Sequence, residues 1–512
     1  MYLAFCYNKD GLFRPFGLLS IMRNISIRLG LFFLLLLAGS LTTSCDFSFD
    51  DSATISPTTA YIQTISPATL TAISEEAELR KTALPDPMGI PWSDLDGLEI
   101  EFWHVWNLDD RESGINSIIE EFNKENDWGI TVKSVDQGLF QNPRDSVETA
   151  FKEGLVPDLM IIDDLPIPSW YEEGYIINLN PLIEDLAVGY STTELKDFYP
   201  GIIENYTLKD GIRPAIPFAQ AIQVMYYNQS WGKEMGFQYP PKDYSDLYEQ
   251  SCASTQFVQE NKDESNDQFG GLILYPDAAN ITSWIYAYDG SILDMENGRY
   301  KFTSREFREV GMDWITLIQD GCGIILTGYP NPMAQEIEID QFNRRRAMMI
   351  MSSSKNYHLI HTGANKTGRA DDWIMIPFIG PDGNKAVTAE VQSIVIFNSK
   401  PEKELAAWLF LKYLTSPEIQ AEWIQDSDYY PVRKGATRFL REYRLDNPHW
   451  SQGYNLLKYS QVNQLHQSWE VTRQALGDAF EAILISSPDD MTKLLNQLNQ
   501  MAAELVSYSE DN

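Results

Sequence analysis

The stretch LEIEFWHVW (Leu98–Trp106) alternates polar and apolar residues and is rich in aromatics, which reads as a β-strand. The segments downstream of it decide the fold class. GINSIIEEFNKEN (Gly114–Asn126) places Ile115, Ile118, Ile119 and Phe122 at helical spacing. GITVKSVD (Gly129–Asp136) reads as a second strand, DSVETAFKEG (Asp145–Gly154) as a helix, and PDLMIID (Pro157–Asp163) as a buried strand. Strand, helix, strand, helix, strand is the signature of an open α/β sheet.

Further along, helical patterns cover Ser304–Asp320, Glu402–Leu414, Pro417–Gln425 and Gln461–Ile485. Short apolar strands recur at RPAIPFA (Arg213–Ala219), GLILYP (Gly271–Pro276), RRAMMIMS (Arg345–Ser352), DWIMIPF (Asp372–Phe378) and QSIVIF (Gln392–Phe397). No GxGxxG follows the first strand, and no P-loop or GxSxG elbow occurs, which argues against a dinucleotide, a nucleoside triphosphate or an α/β-hydrolase site.

The 512-residue chain is long enough for two lobes, each with its own core. Its formal charge of −34 excludes the basic footprint that a nucleic-acid partner requires. The same charge opposes attraction to an anionic bilayer.

Upstream, GLFFLLLLAGSLTTSCDFSFD (Gly30–Asp50) sets an oily run, Leu31 to Ala38, between Arg23 and Arg28 on one side and Cys45 on the other. The run is too short to span a bilayer, which takes ~20 apolar residues, and suits an export signal. It resembles a bacterial lipobox with Cys45 as the lipidated residue, although Thr42 stands where that pattern prefers Leu. Residues 1–44 are therefore expected to be a signal peptide, with Met22 as the cleaner start. Residues 45–96, rich in Ser, Thr, Pro and Ala, are expected to form a disordered tether, because they cannot bury enough surface to offset chain entropy. The expected location is the outer face of the cell membrane.

In an exported body, Cys252 and Cys322 are a candidate disulfide. Cys252 follows an expected helix (Tyr244–Ser251) and Cys322 ends another, so the two helix ends can meet; two separate thiols are the alternative. With five histidines and no CxxC or HExxH, no metal or other cofactor is expected.

The order of motifs resembles the extracellular solute-binding proteins of the sugar-type, maltodextrin-binding-like group that serve ABC importers. The strongest piece is IPFAQAIQVMYYNQSWGKEMGFQYPPKDYSDLYE (Ile216–Glu249), similar to that family's strand into the second lobe, short helix and Pro-Pro turn. GLVPDLMIIDD (Gly154–Asp164), SWIYAYDGSILDMENGRYKF (Ser283–Phe302), FNRRRAMMIMSSS (Phe342–Ser354) and EKELAAWLFLKYLTSPEIQAEWIQDSDYYPVRKGA (Glu402–Ala436) resemble further family segments in the same order. The resemblance implies an α/β, two-lobed, periplasmic-binding-protein-like fold of type II, each lobe a mixed sheet flanked by helices, with the ligand cleft at the hinge. It places lobe one at residues 97–219 plus 391–433 and lobe two at 222–389 plus 436–505. It also implies a carbohydrate ligand, ABC permease subunits as partners, a monomer, and no catalysis.

Sugars need aromatic plates for their ring faces and carboxylates, amides or hydroxyls for their rims. Trp106 with Asn107, at the end of the first strand, is one candidate contact, with core packing the alternative for Trp106. Asp163 and Asp164 end the third strand; as neighbours they point to opposite faces, which makes one of them a sugar acceptor rather than the two an acid/base pair. A solvated turn or a helix cap is the alternative. By position in the family pattern, Gln220 and Gln223 flank the first hinge, and Ser353 and Ser354 occupy a ligand loop. Asp277 follows the strand at LYPD, near Trp284, and both are candidate ligand contacts. Glu390 and Gln392 stand where the family usually has paired glycines, and Tyr429 and Tyr430 precede the third hinge as covers. An exported glycoside hydrolase, or a lipoprotein that kept a cleft for sensing or structure, are the competing functions.

Overall fold

The computed structural model describes residues 85–511 apart from 107–109, 138–142, 164–165, 200, 206, 209–210, 261–268, 295–296, 330, 367–370 and 463–467. The expected signal peptide, Cys45, and the tether as far as residue 84 lie outside the described residues, as do Asn107 and Asp164. Residues 85–96, expected as the end of the disordered tether, are instead ordered: 3-10 turns at Pro87–Gly89 and Trp92–Leu95 bury Pro87 and Leu95.

The chain order of strands begins with β1 (Glu99–His104), β2 (Thr131–Asp136), β3 (Leu159–Asp163), β4 (Ala215–Asn228), β5 (Leu272–Leu274), β6 (Leu293–Asp294) and β7 (Arg299–Tyr300). It continues with β8 (Gly323–Ile325), β9 (Met349–Ser353), β10 (Trp373–Ile376), β11 (Phe378–Ile379), β12 (Lys385–Ile396), β13 (Tyr430–Pro431) and β14 (Ser460–Val462). One sheet runs in the order β2-β1-β3-β12-β4-β9-β5-β8, with β10 and β13 on β4 and with β11 and β14 on β12; β6 and β7 form a separate hairpin. β1 is parallel to β2 and β3, and β5 is parallel to β8 and β9. β12 and β4 run antiparallel to each other at the centre.

Those two strands traverse the molecule. Ala215 to Ala221 of β4 belong to a buried cluster with Phe102, Ile118, Phe122, Ile161, Trp408 and Phe410. Beyond Ile222 the strand contributes to two other clusters, one around Trp284, Trp314, Met351 and Phe480 and one around Ile350, Trp373 and Trp450. The fold is thus the mixed α/β, two-lobed arrangement, with β4 and β12 common to both halves.

The first helix (Asp110–Glu125) buries Ile115, Ile118, Ile119 and Phe122, the stripe read from the sequence. Departures have local causes. RPAIPFA is the start of a 14-residue strand whose every residue is buried, so neither face shows a period of two. Gln220 and Gln223 interrupt its apolar run and disguise its length. QSIVIF is likewise the end of the 12-residue β12. DWIMIPF splits into β10 and β11 at Pro377, which has no N–H for the ladder. The helix expected over Gln461–Ile485 begins only at Trp469, because Ser460–Val462 pairs in parallel with Val387–Ala389.

The helix expected to stop at Ser251 runs from Tyr244 to Gln259, keeping Leu247, Gln250, Ser251, Ser254 and Val258 buried. Cys252 therefore sits within the helix rather than after it. It is nevertheless bonded to Cys322, with 4.4 Å between the Cα atoms. The backbone closes tightly there: Gly271 has φ +65°, and a Cβ on it would strike the Cys322 carbonyl.

The disulfide joins residues 70 apart in sequence. Loop-closure entropy for that separation puts an upper bound of about 4 kcal/mol on its contribution. Denaturant titration of oxidised protein against reduced protein or Cys322→Ser is expected to show a loss of roughly 2–4 kcal/mol, and a change below about 0.5 would refute a stabilising crosslink.

Candidate functional site

In open α/β sheets ligands bind beyond the carboxyl ends of parallel strands. Here that edge of β1 and β3 meets the middle of β4 and β12 and the end of β9. Register decides which side chains share a face. Asp163 is opposite Gln392, Gln392 is opposite Ala219, and Glu390 is opposite Ala221. Gln223, two residues beyond Ala221, is opposite Ser353. Directly opposed residues point the same way. Asp163, Gln223, Ser353, Glu390 and Gln392 therefore line one face, with the small Ala219 and Ala221 between them.

The other face takes Gln220, which is opposite both Val391 and Tyr430. Gln220 is buried and donates through Nε2 to the Pro431 carbonyl at 2.6 Å. Tyr430, expected as a ligand cover, is instead 1% exposed, packed on Trp450 and with its hydroxyl toward the Met375 sulfur. Strand alternation at β13 sends it inward and leaves Tyr429 beside the charged groups. Trp284 is likewise no ligand plate here: it is fully buried, ringed by Tyr244, Tyr288, Trp314 and Phe378. Ser354 Oγ accepts the Ile222 N–H at 3.0 Å and so braces β4.

At the centre stands an ion pair that sequence reasoning misses. Lys355 Nζ lies 3.0 Å from Glu390 Oε2, and Ser353 Oγ donates to the same oxygen at 3.0 Å. The charge of Glu390, aided by Tyr429 and Asp163, raises the Lys355 pKa, so its ammonium stays protonated. Arg111 reaches in from the start of the first helix. It donates to the Lys355 carbonyl at 3.2 Å and to the Ser427 carbonyl at 3.2 Å, and lies 5.7 Å from the Tyr429 ring centre. Two signals in the sequence point to these cations. Lys355 directly follows the Ser352–Ser354 loop, and an arginine in a first helical turn opposes the helix dipole.

Deeper, Gln223 Nε2 donates to Asn280 Oδ1 at 2.5 Å, and Asn280 donates to the Tyr275 carbonyl at 3.0 Å. Asp277 caps the helix Ala278–Ala287 by accepting the Ala279 N–H at 2.8 Å. Burial raises its pKa, against the opposing effects of that hydrogen bond and of Arg473. Behind it Glu338 is fully buried, and neither carboxyl oxygen has a hydrogen-bond partner among the described residues. Burial, then the charge of Asp277, holds it far above the usual carboxylate range, as a neutral acid.

Trp106 is 3% exposed and packs on Trp423 at 4.3 Å between ring centres. Its position is fixed by His104. The His104 Nδ1 accepts the Trp106 N–H at 3.2 Å, so the proton is assigned to Nε2, which lies 2.7 Å from Ser134 Oγ. Among the described residues no group of three His, Cys, Asp or Glu is placed to hold a metal ion.

A family model described as bacterial extracellular solute-binding protein matches residues 117–447. The sn-glycerol-3-phosphate-binding periplasmic protein UgpB of Rhizobium meliloti is 26% identical over 157 residues; the match covers 30% of this chain and 35% of that relative's length. Among solved structures, the sugar-binding protein MalE of Xanthomonas citri aligns with a TM-score of 0.66 at 18% identity, over 80% of this chain and 98% of that one. The cyclic α-maltosyl-1,6-maltose binding protein of Arthrobacter globiformis gives 0.65 at 16% identity, over 80% and 99%. UgpB of Mycobacterium tuberculosis in complex with glycerophosphocholine gives 0.64 at 19%, over 80% and 99%.

Burial lowers the His104 pKa to about 4, against the attraction of Asp136. The unfolded chain therefore takes up a proton near pH 6.5 that the folded chain refuses until about pH 4. Stability from this site is complete above pH 6.5 and falls by up to about 3 kcal/mol as pH drops to 4. His104→Gln is expected to flatten the acid limb of a melting-temperature profile across that window. An unchanged limb, or a His104 NMR resonance titrating near the ordinary histidine value, would contradict the assignment.

Proposed function

The chain belongs to the bacterial extracellular solute-binding proteins, and on that premise we propose that it captures a mono- or oligosaccharide in the cleft and delivers it to an ABC importer. Membership in that family places it outside the cytoplasm, and no helix among the described residues is long and apolar enough to cross a membrane. We place the lobes at residues 97–219 plus 391–433 and 222–389 plus 436–505, and the anchor as a lipid on Cys45. Closure of one lobe on the other is the signal the permease subunits read.

The observation that carries the carbohydrate reading is the shared face of Asp163, Gln223, Ser353, Glu390 and Gln392. Carboxylates, amides and a hydroxyl converge over a strip of alanines, as a sugar's hydroxyl rim requires. Gln392 Oε1 is buried with no hydrogen-bond partner among the described residues, ready for a donor from a ligand. Trp106 and Tyr429 are core residues that pack on Trp423 behind this face, and Asn107 and Asp164 adjoin this edge in the chain. Chemistry on the solute is disfavoured, because Glu390 is tied to Lys355 and Asp277 to its helix, so that neither is free to pair with Asp163 as the acid and base of glycoside hydrolysis.

Lys355 and Arg111 favour a second reading, a polyol that carries an anionic group, in keeping with the names of the UgpB relatives. The neutral sugar comes first because Glu390 already matches the Lys355 charge.

Titrating purified protein with saccharides and with glycerol phosphodiesters, read by tryptophan fluorescence and melting temperature, tests both. A solute at 100 times its Kd is expected to add about 2.7 kcal/mol of stability. Asp163→Asn and Glu390→Gln should each weaken a sugar at least tenfold, about 1.4 kcal/mol. Lys355→Ala should abolish binding only of an anionic solute. Release of product, or silence across every saccharide, would sink the carbohydrate proposal.

A further inference from the structure

A groove of about 1060 Å³ opens where the chain enters β1 and β2, at their amino ends. The cleft lies at their carboxyl ends, a strand length of ~20 Å away. The groove therefore belongs to a different part of the surface from the solute site. Its floor is apolar, from Phe122, Val188 and Leu409. Trp92 and Trp128 line it together, their ring planes 12° from parallel and their centres 6.2 Å apart.

This aromatic wall is built rather than incidental. Asn126 locks the loop that carries Trp128: its Nδ2 donates to the Phe122 and Ile130 carbonyls, both at 2.8 Å. Its Oδ1 accepts the Trp128 and Ile130 N–H groups at 3.2 and 3.0 Å. Gly97 N–H donates to the Gly129 carbonyl at 3.2 Å and ties the segment carrying Trp92 to the same loop.

The exposed charge around the wall is acidic. Asp86, Asp96, Glu125 and Asp127 line the groove and are exposed. The basic residue in its lining, Lys412, is committed elsewhere: its ammonium donates to the Val188 and Gly189 carbonyls at 3.2 and 2.6 Å and lies 3.9 Å from Glu194. Two indoles over an apolar floor, rimmed by carboxylates, match a ligand with an apolar body and a positive charge. The ring faces attract a cation through their quadrupoles, and the acids concentrate it and repel anions. The volume suits a small organic molecule.

We propose that this groove is a second ligand site, separate from the cleft, for a hydrophobic organic cation such as a quaternary or protonated amine on an aromatic or aliphatic body. The test titrates the full chain with benzyltrimethylammonium, benzyl alcohol, benzoate and a maltodextrin, by calorimetry and tryptophan fluorescence. The expected result is saturable binding of the cation, at least tenfold tighter than the alcohol, with no binding of benzoate. Binding should weaken several-fold in roughly 0.5 M salt, where charge attraction is screened, and be lost in Trp128→Leu, yet remain unchanged in the cleft variant Glu390→Gln. Should Trp128→Leu fail to fold, Glu125→Gln with Asp96→Asn, both on exposed carboxylates, should weaken the cation three- to tenfold and leave the alcohol unaffected. Equal binding of cation and alcohol would reduce the groove to an apolar crevice and overturn the proposal. So would no cation binding, or a maltodextrin signal that Trp128→Leu abolishes.

Discussion

The antiparallel pairing of β4 with β12 is the constraint on which the rest of the structure depends. It runs from Ala389 opposite Ile222 to Val395 opposite Ala215, with a shift of register between Gln392 and Ser393. Because both strands continue into both halves, this one ladder sets how the halves are joined. A one-residue slip would exchange the faces of every side chain along it. Glu390 and Gln392 would then point into the core, and Val391 would take their place on the face of Asp163 and Ser353. The site is thus specified by the same hydrogen bonds that hold the fold together.

Charge in the cleft is nearly self-cancelling, and that shapes what it can accept. Lys355 is matched by Glu390, whose carboxylate also accepts from Ser353, while Arg111 donates to two backbone carbonyls. A partly buried lysine without its carboxylate would carry a desolvation cost with nothing to offset it. Asp277 and Glu338 lie behind this group with their carboxyls biased toward the neutral form. The wall thus alternates donors and acceptors without building a strong net field, an environment that favours hydroxyl groups and tolerates modest charge.

Much of the architecture is legible in the sequence. The stripe Ile115, Ile118, Ile119 and Phe122, and the alternation of LEIEFWHVW, follow from periodicity alone. The ordered motifs then carry the family. Hidden from view is whatever periodicity does not report. β4 and β12 are buried along nearly their whole length, so they lack the two-fold pattern that reveals strand length. Asp163, Gln223, Ser353, Glu390 and Gln392 are candidates on sequence alone. Sorting them from Gln220, Tyr430 and Trp284 needs the register, which depends on pairings far apart in the chain. Lys355 escapes sequence reasoning because its role comes from Glu390, which is distant in sequence and adjacent in space.

The position of β12 also governs the order in which the molecule can be built. β3 ends at Asp163, yet the strand that covers its open edge begins at Lys385. All the chain between those two residues must emerge before the first half of the sheet gains its inner neighbour. Until then β3 presents unpaired backbone groups, the condition under which sheets pair with the wrong partner. The residues up to β3 therefore cannot complete this half of the sheet by themselves. Its completion rests on pairings far apart in sequence, which as a class form more slowly than the local contacts of helices.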